Sequence, residues 1–413
     1  MPKRVVITGM GVISPLGNDV TTFWNALIQG KNGIKTIPEW VTAGYPVTIA
    51  GQADPVTIDD LVDSKDARRM DPYCVYALHA ANQAITQSGF TQDNPDPHRV
   101  GVIVGSGIGG LHVFEEQHAA LLLKGHRRVS PFFIPMLIPD IAAGYIAIKW
   151  GFHGPNFSVS SACATANHAI GVGLKTIRYG DADVMIVGAA DATLTPMALN
   201  GFANMKALST RNDDPAHASR PFDLNRDGFV IGEGAGIFVL ESLEHAQKRG
   251  ATILAELAGF GQSADAHHIT TPAPDGIGAI IAIQQALADA KMTTTDIDYI
   301  NAHGTSTAFN DKTETKAIKQ VFGDHARKLA ISSTKSMTGH LLGASGGVEL
   351  IAVVKTIQTG MIPPTINYET PDPECDLDYT VNKAVSRPVQ AAISNSFGFG
   401  GHNAVLAAKA FLE

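Results

Sequence analysis

Cys163 has the sequence surroundings expected of a nucleophilic cysteine. It follows the short apolar segment 157–160, which has the pattern of a strand, and it precedes a predicted helix over residues 165–179. A thiol at the start of a helix faces the positive end of the helix dipole, which favours the thiolate. The residues beside it are small and leave room for a substrate. A lone cysteine is more often a small buried hydrophobic residue, but this context predicts a nucleophile.

Two histidines follow predicted strands and are candidates to act with this cysteine. His303 comes directly after the strand-like segment 299–302, and His340 lies in the glycine-containing segment 335–347. Loops at the ends of strands in α/β sheets are where functional residues gather. Neither histidine has a cysteine or carboxylate at the spacing of a metal ligand. We therefore interpret both as hydrogen-bond donors or bases rather than zinc ligands.

The elements that must position these residues indicate an α/β fold, because short apolar segments alternate with longer helical ones. Predicted strands span residues 5–8, 100–104, 157–160, 184–187, 253–257, 299–302, 329–332 and 391–394. Predicted helices span residues 72–88, 165–179, 277–290 and 347–359.

The chain also contains an internal similarity. Ser-Ser-Ala-Cys at 160–163 precedes a helix with Leu-Lys-Thr-Ile at 174–177, and Ser-Ser-Thr-Lys at 332–335 precedes a helix with Val-Lys-Thr-Ile at 354–357. A strand, turn and helix that recur once in each half indicate a duplication. We predict two halves, residues 1–250 and 251–413, that share one interface.

The composition excludes several classes of function. Hydrophobic residues make up 45% of the 413 residues and charged residues 17%, which suits a large globular protein. The net charge of −8 argues against general nucleic-acid binding. We find no secretory signal, and no apolar run of about 18 residues predicts a membrane span. The three cysteines are widely spaced and form neither a disulfide framework nor a metal motif, so we expect a reduced, cytoplasmic protein.

Four motifs occur in an order that resembles a known family. They are Ser-Ala-Cys-Ala-Thr at 161–165, His-Gly-Thr-Ser-Thr at 303–307, the segment 335–347, and Asn-Ser-Phe-Gly-Phe-Gly-Gly-His-Asn at 395–403. Together they resemble the thiolase-fold β-ketoacyl-acyl-carrier-protein (ACP) synthases over essentially the whole chain. Initiating members of this family have a Cys-His-Asn pattern, whereas in this chain the third residue of the pattern is a histidine, His340. The resemblance is therefore closest to the type II elongating synthases of dissociated fatty-acid synthesis. It implies a thiolase-like fold of two duplicated βαβ-rich halves, with stacked mixed sheets in α-β-α-β-α layers.

The resemblance implies a decarboxylative condensation that needs no metal or organic cofactor. Cys163 takes an acyl group from ACP, and the backbone N–H groups of Cys163 and Phe399 stabilise the oxyanion. His303 and His340 then stabilise the enolate formed from malonyl-ACP, which attacks the acyl group to give 3-oxoacyl-ACP and CO2.

Further residues are implied to support the site or bind the substrate. Lys335 and Glu349 resemble a buried pair that supports the histidines, although an ordinary salt bridge is an alternative. Threonine hydroxyls are implied to bind the pantetheine amides, and Phe399 is implied to act also as a gate. The implied substrate-binding residues are Ile108, Phe133, Thr270, Thr305, Thr307 and Phe397.

Residues 105–110 fit the G-x-G-x-x-G pattern of dinucleotide sites. That interpretation requires an acidic residue about 20 positions further on, and the segment 125–131 is basic instead. By resemblance, the loop is a pocket wall in which Ile108 limits the acyl tail. Phe133 is implied to reach this pocket from the neighbouring subunit of a homodimer. These apolar residues could equally belong to an ordinary core.

An acidic chain that binds an acidic carrier protein needs local positive charge. The resemblance implies that ACP docks on three basic clusters, for which a solvated surface is the alternative. The clusters contain Lys65, Arg68 and Arg69, then Arg127 and Arg128, and finally Lys206.

Other functions remain as alternatives. A freestanding polyketide ketosynthase would use the same triad with another acyl donor. A degradative thiolase would need a second catalytic cysteine near the C-terminus, but Cys375 lies in an acidic, proline-rich stretch and the loop 398–401 has no cysteine. A chain-length partner subunit would have lost its nucleophile. A nicotinamide dehydrogenase is the last alternative, and a constant absorbance of NAD(P)H in the presence of the protein would exclude it.

Overall fold

The computed structural model describes residues 3–90 and 96–412. The first half contains β1 (Val5–Ile13), α1 (Val20–Ile28), β2 (Ile34–Thr36), α2 (Pro38–Thr42), β3 (Ile49–Gly51), α3 (Ser64–Ala67), α4 (Pro72–Ser88), β4 (Val100–Gly105), α5 (Leu111–Lys124), α6 (Phe133–Leu137), α7 (Ile141–Trp150), β5 (Asn156–Phe157), α8 (Thr165–Tyr179), β6 (Val184–Asp191), α9 (Pro196–Asn204), β7 (Gly234–Ser242) and α10 (Leu243–Lys248). The second half contains β8 (Ala255–Ala264), α11 (Ile277–Ala290), β9 (Tyr299–Asn301), α12 (Ala308–Phe322), β10 (Ala330–Ser332), α13 (Lys335–Thr338), α14 (Ser345–Thr359), β11 (Met361–Ile362), β12 (Val385–Ser386), β13 (Ala391–Gly398) and β14 (His402–Lys409).

Five strands in each half follow the same topology. The order across the first half is β5-β4-β6-β7-β1, and across the second half it is β10-β9-β13-β14-β8. In both halves the first three strands are parallel, and the next two pairings are antiparallel. The repeated order supports a duplication. We keep the division at residue 250, which lies between α10 and β8, as a proposal.

A short ladder of hydrogen bonds joins the strands of the first half to those of the second. The sequence interpretation had predicted stacked mixed sheets for the two halves. β1 and β8 pair antiparallel through Val6 with Glu256 and Ile7 with Ala255, so the ten strands form one mixed sheet. Helix α14 lies between the halves, since it contacts β7 of the first and β13 of the second. Helix α8 packs beside it, α4 and α7 cover the first half, and α11 covers the second. The layered α/β arrangement is therefore confirmed, with its two sheets joined by the ladder.

The predicted helices and strands are present; helices α4, α8 and α11 have the predicted ends, and several other elements differ at their ends. Strands β1 and β8 run on to Ile13 and Ala264, and α14 begins at Ser345. The segment predicted as a strand at 157–160 is reduced to the two residues Asn156–Phe157. Strands β7 and β14 were not among the predicted strands, although β7 is buried along its whole length. Strand β14 follows directly on a glycine-rich motif, and such a motif is typical of a loop.

Within residues 3–90 and 96–412, no helix has both the length and the apolar character that crossing a membrane requires.

Candidate active site

Cys163 lies in a tight turn between β5 and α8. Ala162 has a φ of +50°, and Ala162–Ala164 form a 3₁₀ turn directly before the helix. The hydroxyl of Thr165 accepts a hydrogen bond from the N–H of Ser161 (2.9 Å) and donates one to the carbonyl of Ala162 (2.8 Å). The turn therefore holds the largely buried thiol at the N-terminal end of α8, where the sequence pattern placed it.

Burial is the largest influence on the ionisation of this thiol. Burial raises the pKa of Cys163 to about 11, although the Lys335 ammonium and the backbone N–H groups of Phe399 and Cys163 lower it. The sequence context favoured a thiolate, but at neutral pH the resting form is the thiol. A reaction in which this thiol acts as the nucleophile would therefore require removal of its proton.

The backbone around the sulfur is arranged to hold an oxyanion. The N–H groups of Cys163 and Phe399 both face the sulfur. Gly398 ends β13, and a Cβ at this position would lie 2.7 Å from the carbonyl oxygen of Ser161 and 3.1 Å from the nitrogen of Cys163. A side chain here would force the two segments apart, so the close approach depends on glycine.

His303 and His340 lie side by side, with ring centroids 5.4 Å apart and an interplanar angle of 85°. Each ring is only 3% exposed. Burial and the charge of Lys335 hold the pKa of both imidazoles well below 6.5. Both rings are therefore neutral near pH 7, so each can donate one hydrogen bond and accept another.

Each ring is oriented by a contact at Nδ1. Lys335 Nζ lies 3.4 Å from Nδ1 of His303, and the Ser345 hydroxyl lies 2.9 Å from Nδ1 of His340. An ammonium group can only donate, so Nδ1 of His303 accepts and its proton lies on Nε2. The hydroxyl of Ser345 can donate to His340 in the same way. Two Nε2–H donors are then available to a bound substrate.

Lys335 and Glu349 form a buried ion pair. Lys335 begins α13, and Glu349 lies on α14. Burial raises the pKa of Glu349, and the neighbouring ammonium opposes this shift. The pair and the contact from Lys335 to His303 support the interpretation of both residues as a support for the histidines. Direct participation in the chemistry stays a prediction.

The sequence interpretation missed Glu314 on α12. Its carboxylate accepts hydrogen bonds from the backbone N–H groups of His303 (2.8 Å) and Gly304 (2.8 Å), and from the side-chain amide of Asn395 (3.0 Å). Burial raises its pKa to about 7. Glu314 follows His303 by eleven residues in a polar helix, and no motif marks it.

A cavity of about 340 Å³ opens onto this cluster. It brings together nine residues that the sequence singled out, namely Cys163, Lys206, Thr270, His303, Thr305, Thr307, His340, Phe397 and Phe399. The hydroxyls of Thr305 and Thr307 lie 2.9 Å apart. Three aromatic residues that the sequence did not single out also line it, namely Phe202, Phe229 and Phe309.

Models of two protein domains match the chain. The β-ketoacyl synthase N-terminal domain matches residues 2–246, and the C-terminal domain matches residues 254–369. The chain belongs to the β-ketoacyl synthase family. A 3-oxoacyl-[acyl-carrier-protein] synthase 2 of Staphylococcus aureus (strain N315) is 52% identical over 99% of both chains. Its counterpart from Synechocystis is 49% identical over 99% of this chain and 98% of its own length.

Solved structures of other ketosynthases have the fold of this β-ketoacyl synthase. A type II polyketide ketosynthase in complex with its acyl-carrier protein is 38% identical, with a TM-score of 0.92 and full coverage of both chains. A β-ketoacyl synthase from Burkholderia phymatum is 36% identical, with a TM-score of 0.93, over 99% of this chain and 100% of its own.

Two predicted pocket residues of this β-ketoacyl synthase do not line the cavity of the single chain. Ile108 is 39% exposed, and Phe133 is half-buried at the start of α6. Their segments nevertheless touch, because a Cβ on Gly110 would lie 2.3 Å from the carbonyl oxygen of Met136. The acyl-tail pocket predicted around Ile108 and Phe133 therefore stays a prediction for an assembled form.

The basic clusters lie on the surface. Lys65, Arg68, Arg127 and Arg128 are exposed, and Arg69 is half-buried. Arg69 pairs with Asp66 at 3.4 Å and lies over the ring of Phe132 at 4.0 Å. Lys206 is exposed and lines the cavity. Of the six basic residues, only this lysine lies at the cavity in the single chain.

Proposed function

We propose that this β-ketoacyl synthase is the 3-oxoacyl-ACP synthase of a type II fatty-acid pathway. As an acyltransferase, it condenses malonyl-ACP with an acyl group carried on Cys163. The observation that carries this proposal is the convergence of Cys163, His303 and His340 on one cavity. Relatives of that name, which are 49–52% identical over 99% of the chain, support it.

Acyl transfer comes first. The sulfur of Cys163 attacks the thioester carbonyl of acyl-ACP, and the N–H groups of Cys163 and Phe399 hold the oxyanion. The tetrahedral intermediate collapses with loss of the phosphopantetheine thiolate. That thiolate takes up the proton that Cys163 released, directly or through a neutral imidazole of the cavity. The products are an acyl-enzyme and free ACP.

Decarboxylation and condensation follow. The bond between the malonyl carboxylate and the α-carbon breaks, CO2 leaves, and its electron pair forms an enolate on the thioester. The Nε2–H groups of His303 and His340 donate hydrogen bonds to the enolate oxygen. The α-carbon then attacks the acyl carbonyl, and the thiolate of Cys163 leaves and takes up a proton from solvent water, so the overall condensation consumes one proton. Every step moves electron pairs within the thioesters, so the proposed reaction consumes no cofactor.

The threonines are proposed to hold the substrate arm. Thr305 and Thr307 lie in the loop after His303, and Thr270 lines the same cavity. Their hydroxyls can hydrogen-bond the amides of phosphopantetheine. Phe397 and Phe399 also line the cavity. We propose that Phe399 acts as a gate there.

We propose that the enzyme works as a homodimer. Helices α5 and α6 carry strongly exposed apolar side chains, with Leu122 69%, Leu123 82% and Ile134 58% exposed. Such a patch on one protein surface is typical of an interaction site. It lies on the same helices as Phe133, which supports the proposal that this residue completes the Ile108 pocket across the dimer.

ACP is the proposed protein partner. An acyl-carrier protein is bound to a ketosynthase in one of the similar structures. The exposed Lys65, Arg68, Arg127, Arg128 and Lys206, together with the half-buried Arg69, supply positive charge on a chain whose net charge is −8. We propose the cytoplasm as its compartment, since all three cysteines are free and a thiol nucleophile requires a reducing environment.

A freestanding polyketide ketosynthase is the second candidate. It is favoured by the 38% identity, over the full length of both chains, to the ketosynthase that was solved with a hexaketide. The identity of 49–52% to fatty-acid relatives favours the first candidate.

Intact-mass spectrometry tests the proposal. The enzyme is mixed with acyl-ACPs of several chain lengths, and Cys163→Ala serves as the control. We expect a mass gain of one acyl group that the variant lacks, followed by 3-oxoacyl-ACP after addition of malonyl-ACP. No acyl-enzyme with any donor would contradict the proposal. Acylation by a polyketide intermediate but by no saturated acyl-ACP would favour the second candidate.

A further inference from the structure

The duplication gives the molecule a second turn that matches the one holding Cys163. Leu342 has a φ of +51°, as Ala162 has +50°. Each begins a three-residue 3₁₀ turn, and each turn leads directly into a helix of 15 residues. Position by position, Gly343 of the second half corresponds to Cys163 of the first. The second turn therefore has no nucleophile.

The strands that end at the two turns also correspond. β6 and β13 both have eight residues and occupy the same place in their halves. Their last residues are Asp191 and Gly398. At the first turn, Gly398 has no side chain and leaves the N–H of Cys163 free for an oxyanion. At the second turn, the carboxylate of Asp191 accepts a hydrogen bond from the N–H of Gly343 at 2.7 Å.

Asp191 also binds the glycine-rich loop 105–110. Its carboxylate accepts hydrogen bonds from the N–H of Gly107 at 3.0 Å and from the hydroxyl of Ser106. The side chain is fully buried, and its donors are N–H and O–H groups. Two donors of the G-x-G-x-x-G loop, the hydroxyl of Ser106 and the N–H of Gly107, are thus bound to a carboxylate of the protein itself.

The second turn is connected to the catalytic histidine. Gly343 lies three residues after His340 and two before Ser345, whose hydroxyl contacts Nδ1 of that histidine. A movement of the turn would therefore shift both the ring and the group that orients it. Keeping an unpaired carboxylate in the interior costs free energy, and here several donors offset that cost.

We propose that Asp191 is a positioning residue for the decarboxylation step, because its carboxylate binds the second turn and thereby fixes the place of His340. Asp191 does not line the cavity and acts on His340 through Gly343. Its charge also raises the pKa of Cys163, so the acylation step is measured beside decarboxylation. The inference rests on the proposed condensation. It predicts that loss of Asp191 affects the step that uses His340 more than the acylation of Cys163.

Two substitutions of Asp191 separate the effect of its hydrogen bonds on the second turn from the effect of its negative charge. Asp191→Ala removes every acceptor. Asp191→Asn retains one oxygen that can accept from the N–H groups of Gly343 and Gly107. We expect Asp191→Ala to lower malonyl-ACP decarboxylation about 10- to 100-fold, the range typical of a displaced catalytic group. Acyl-enzyme formation should fall less than about threefold, and Asp191→Asn should restore most of the decarboxylation.

Asp71→Ala is the matched control. Asp71 is likewise fully buried, and it accepts hydrogen bonds from the N–H groups of Tyr73 and Val113, at the starts of α4 and α5. We expect Asp71→Ala to lower the midpoint of thermal unfolding as Asp191→Ala does, but to slow acylation and decarboxylation equally. Gly343→Ala provides a second variant if Asp191→Ala does not fold, because its Cβ would lie 2.6 Å from Oδ2 of Asp191.

Both steps are measured on each purified protein, acylation by intact mass and decarboxylation by release of CO2 from malonyl-ACP. Loss of decarboxylation with acylation retained, in Asp191→Ala or Gly343→Ala, supports the inference. Equal loss of both steps, or no recovery in Asp191→Asn, overturns it. A wild-type enzyme that forms no acyl-enzyme would instead overturn the proposed function.

Discussion

The ammonium nitrogen of Lys335 lies 3.4 Å from Nδ1 of His303. Because an ammonium group donates and cannot accept, this contact fixes which nitrogen of the ring carries the proton. It also places a positive charge beside a buried imidazole, which lowers the pKa of His303. Lys335 thus fixes the tautomer of this proposed enolate donor and, together with burial, keeps its ring neutral.

Replacing Lys335 separates its catalytic from its structural role. Lys335→Met leaves Glu349 buried without its partner, so we expect the unfolding free energy to fall by about 3–5 kcal/mol. Decarboxylation should fall at least about 100-fold, because the orientation of His303 is lost. In Lys335→Met/Glu349→Leu, stability should return while decarboxylation stays low, as urea unfolding and CO2 release will show. Recovery of both would mean that the pair is only structural.

Cys163 should react as a thiol whose ionisation is suppressed. Its pKa of about 11 predicts that alkylation by iodoacetamide accelerates steadily with pH from 7 to 10. Lys335→Met should slow the reaction, since the ammonium lowers this pKa. Peptide mass spectrometry gives the rates, with the buried Cys74 and Cys375 as internal controls. A rate that is already maximal at pH 7 would indicate a resting thiolate.

Glu314 should make stability and activity depend on pH in opposite directions. Burial raises its pKa from 4.5 to about 7. Between these values the folded protein keeps a proton that the unfolded chain has released. This group's contribution to the unfolding free energy therefore falls as the pH rises, by about 3 kcal/mol in all. Decarboxylation should rise as the pH passes through about 7, where Glu314 ionises in the folded protein, because the ionised carboxylate accepts from the N–H groups of His303 and Gly304.

Glu314→Gln is the test of this linkage. We expect the variant to lack that part of the pH dependence between about pH 4.5 and 7 in denaturant unfolding. Its decarboxylation should be low and should no longer rise with pH. If the pH profiles of variant and wild type were parallel, Glu314 would not be the titrating group.

Gly398→Ala should damage acyl transfer without unfolding the protein. The new Cβ would lie 2.7 Å from the carbonyl oxygen of Ser161 and would separate the N–H groups of Cys163 and Phe399. Loss of one oxyanion donor typically costs about 10²- to 10³-fold in rate. Acyl-enzyme formation by rapid-quench mass spectrometry measures the effect. Gly201→Ala, where a Cβ meets nothing within 4 Å, is the control and should behave as wild type.

Reversing charge at the proposed docking surface should weaken ACP binding. For Arg127→Glu/Arg128→Glu, we expect KM for acyl-ACP to rise about tenfold with kcat nearly unchanged, because rim charges act mainly on encounter. The salt dependence of kcat/KM should also become shallower. As a control, Lys383→Glu changes the charge in the same direction at an exposed position elsewhere on the surface. An equal effect of that control would show that net charge, and not this cluster, matters.

Local sequence patterns predicted the elements and the reacting groups. Apolar segments and helical periodicity depend only on neighbouring residues, so the helices α4, α8 and α11 were predicted with the ends that the structure shows. The motifs around Cys163, His303 and His340 identified groups that do meet in one cavity. Strands β7 and β14 were missed. Strand β7 pairs with β1, which is distant in sequence, and β14 follows directly on a glycine-rich motif that is typical of a loop.

By itself, the sequence determined the α/β class and the family that these motifs resemble, and it predicted the nucleophile and the two histidines. Only the tertiary structure decided the protonation and support of the site. Burial raises the pKa of Cys163, against the lowering effect of Lys335 and of the backbone N–H groups of Phe399 and Cys163. Asp191 and Gly343 are 152 residues apart in the chain, yet they share a hydrogen bond. Desolvation and long-range hydrogen bonds depend on which segments pack together, and no local pattern contains that information.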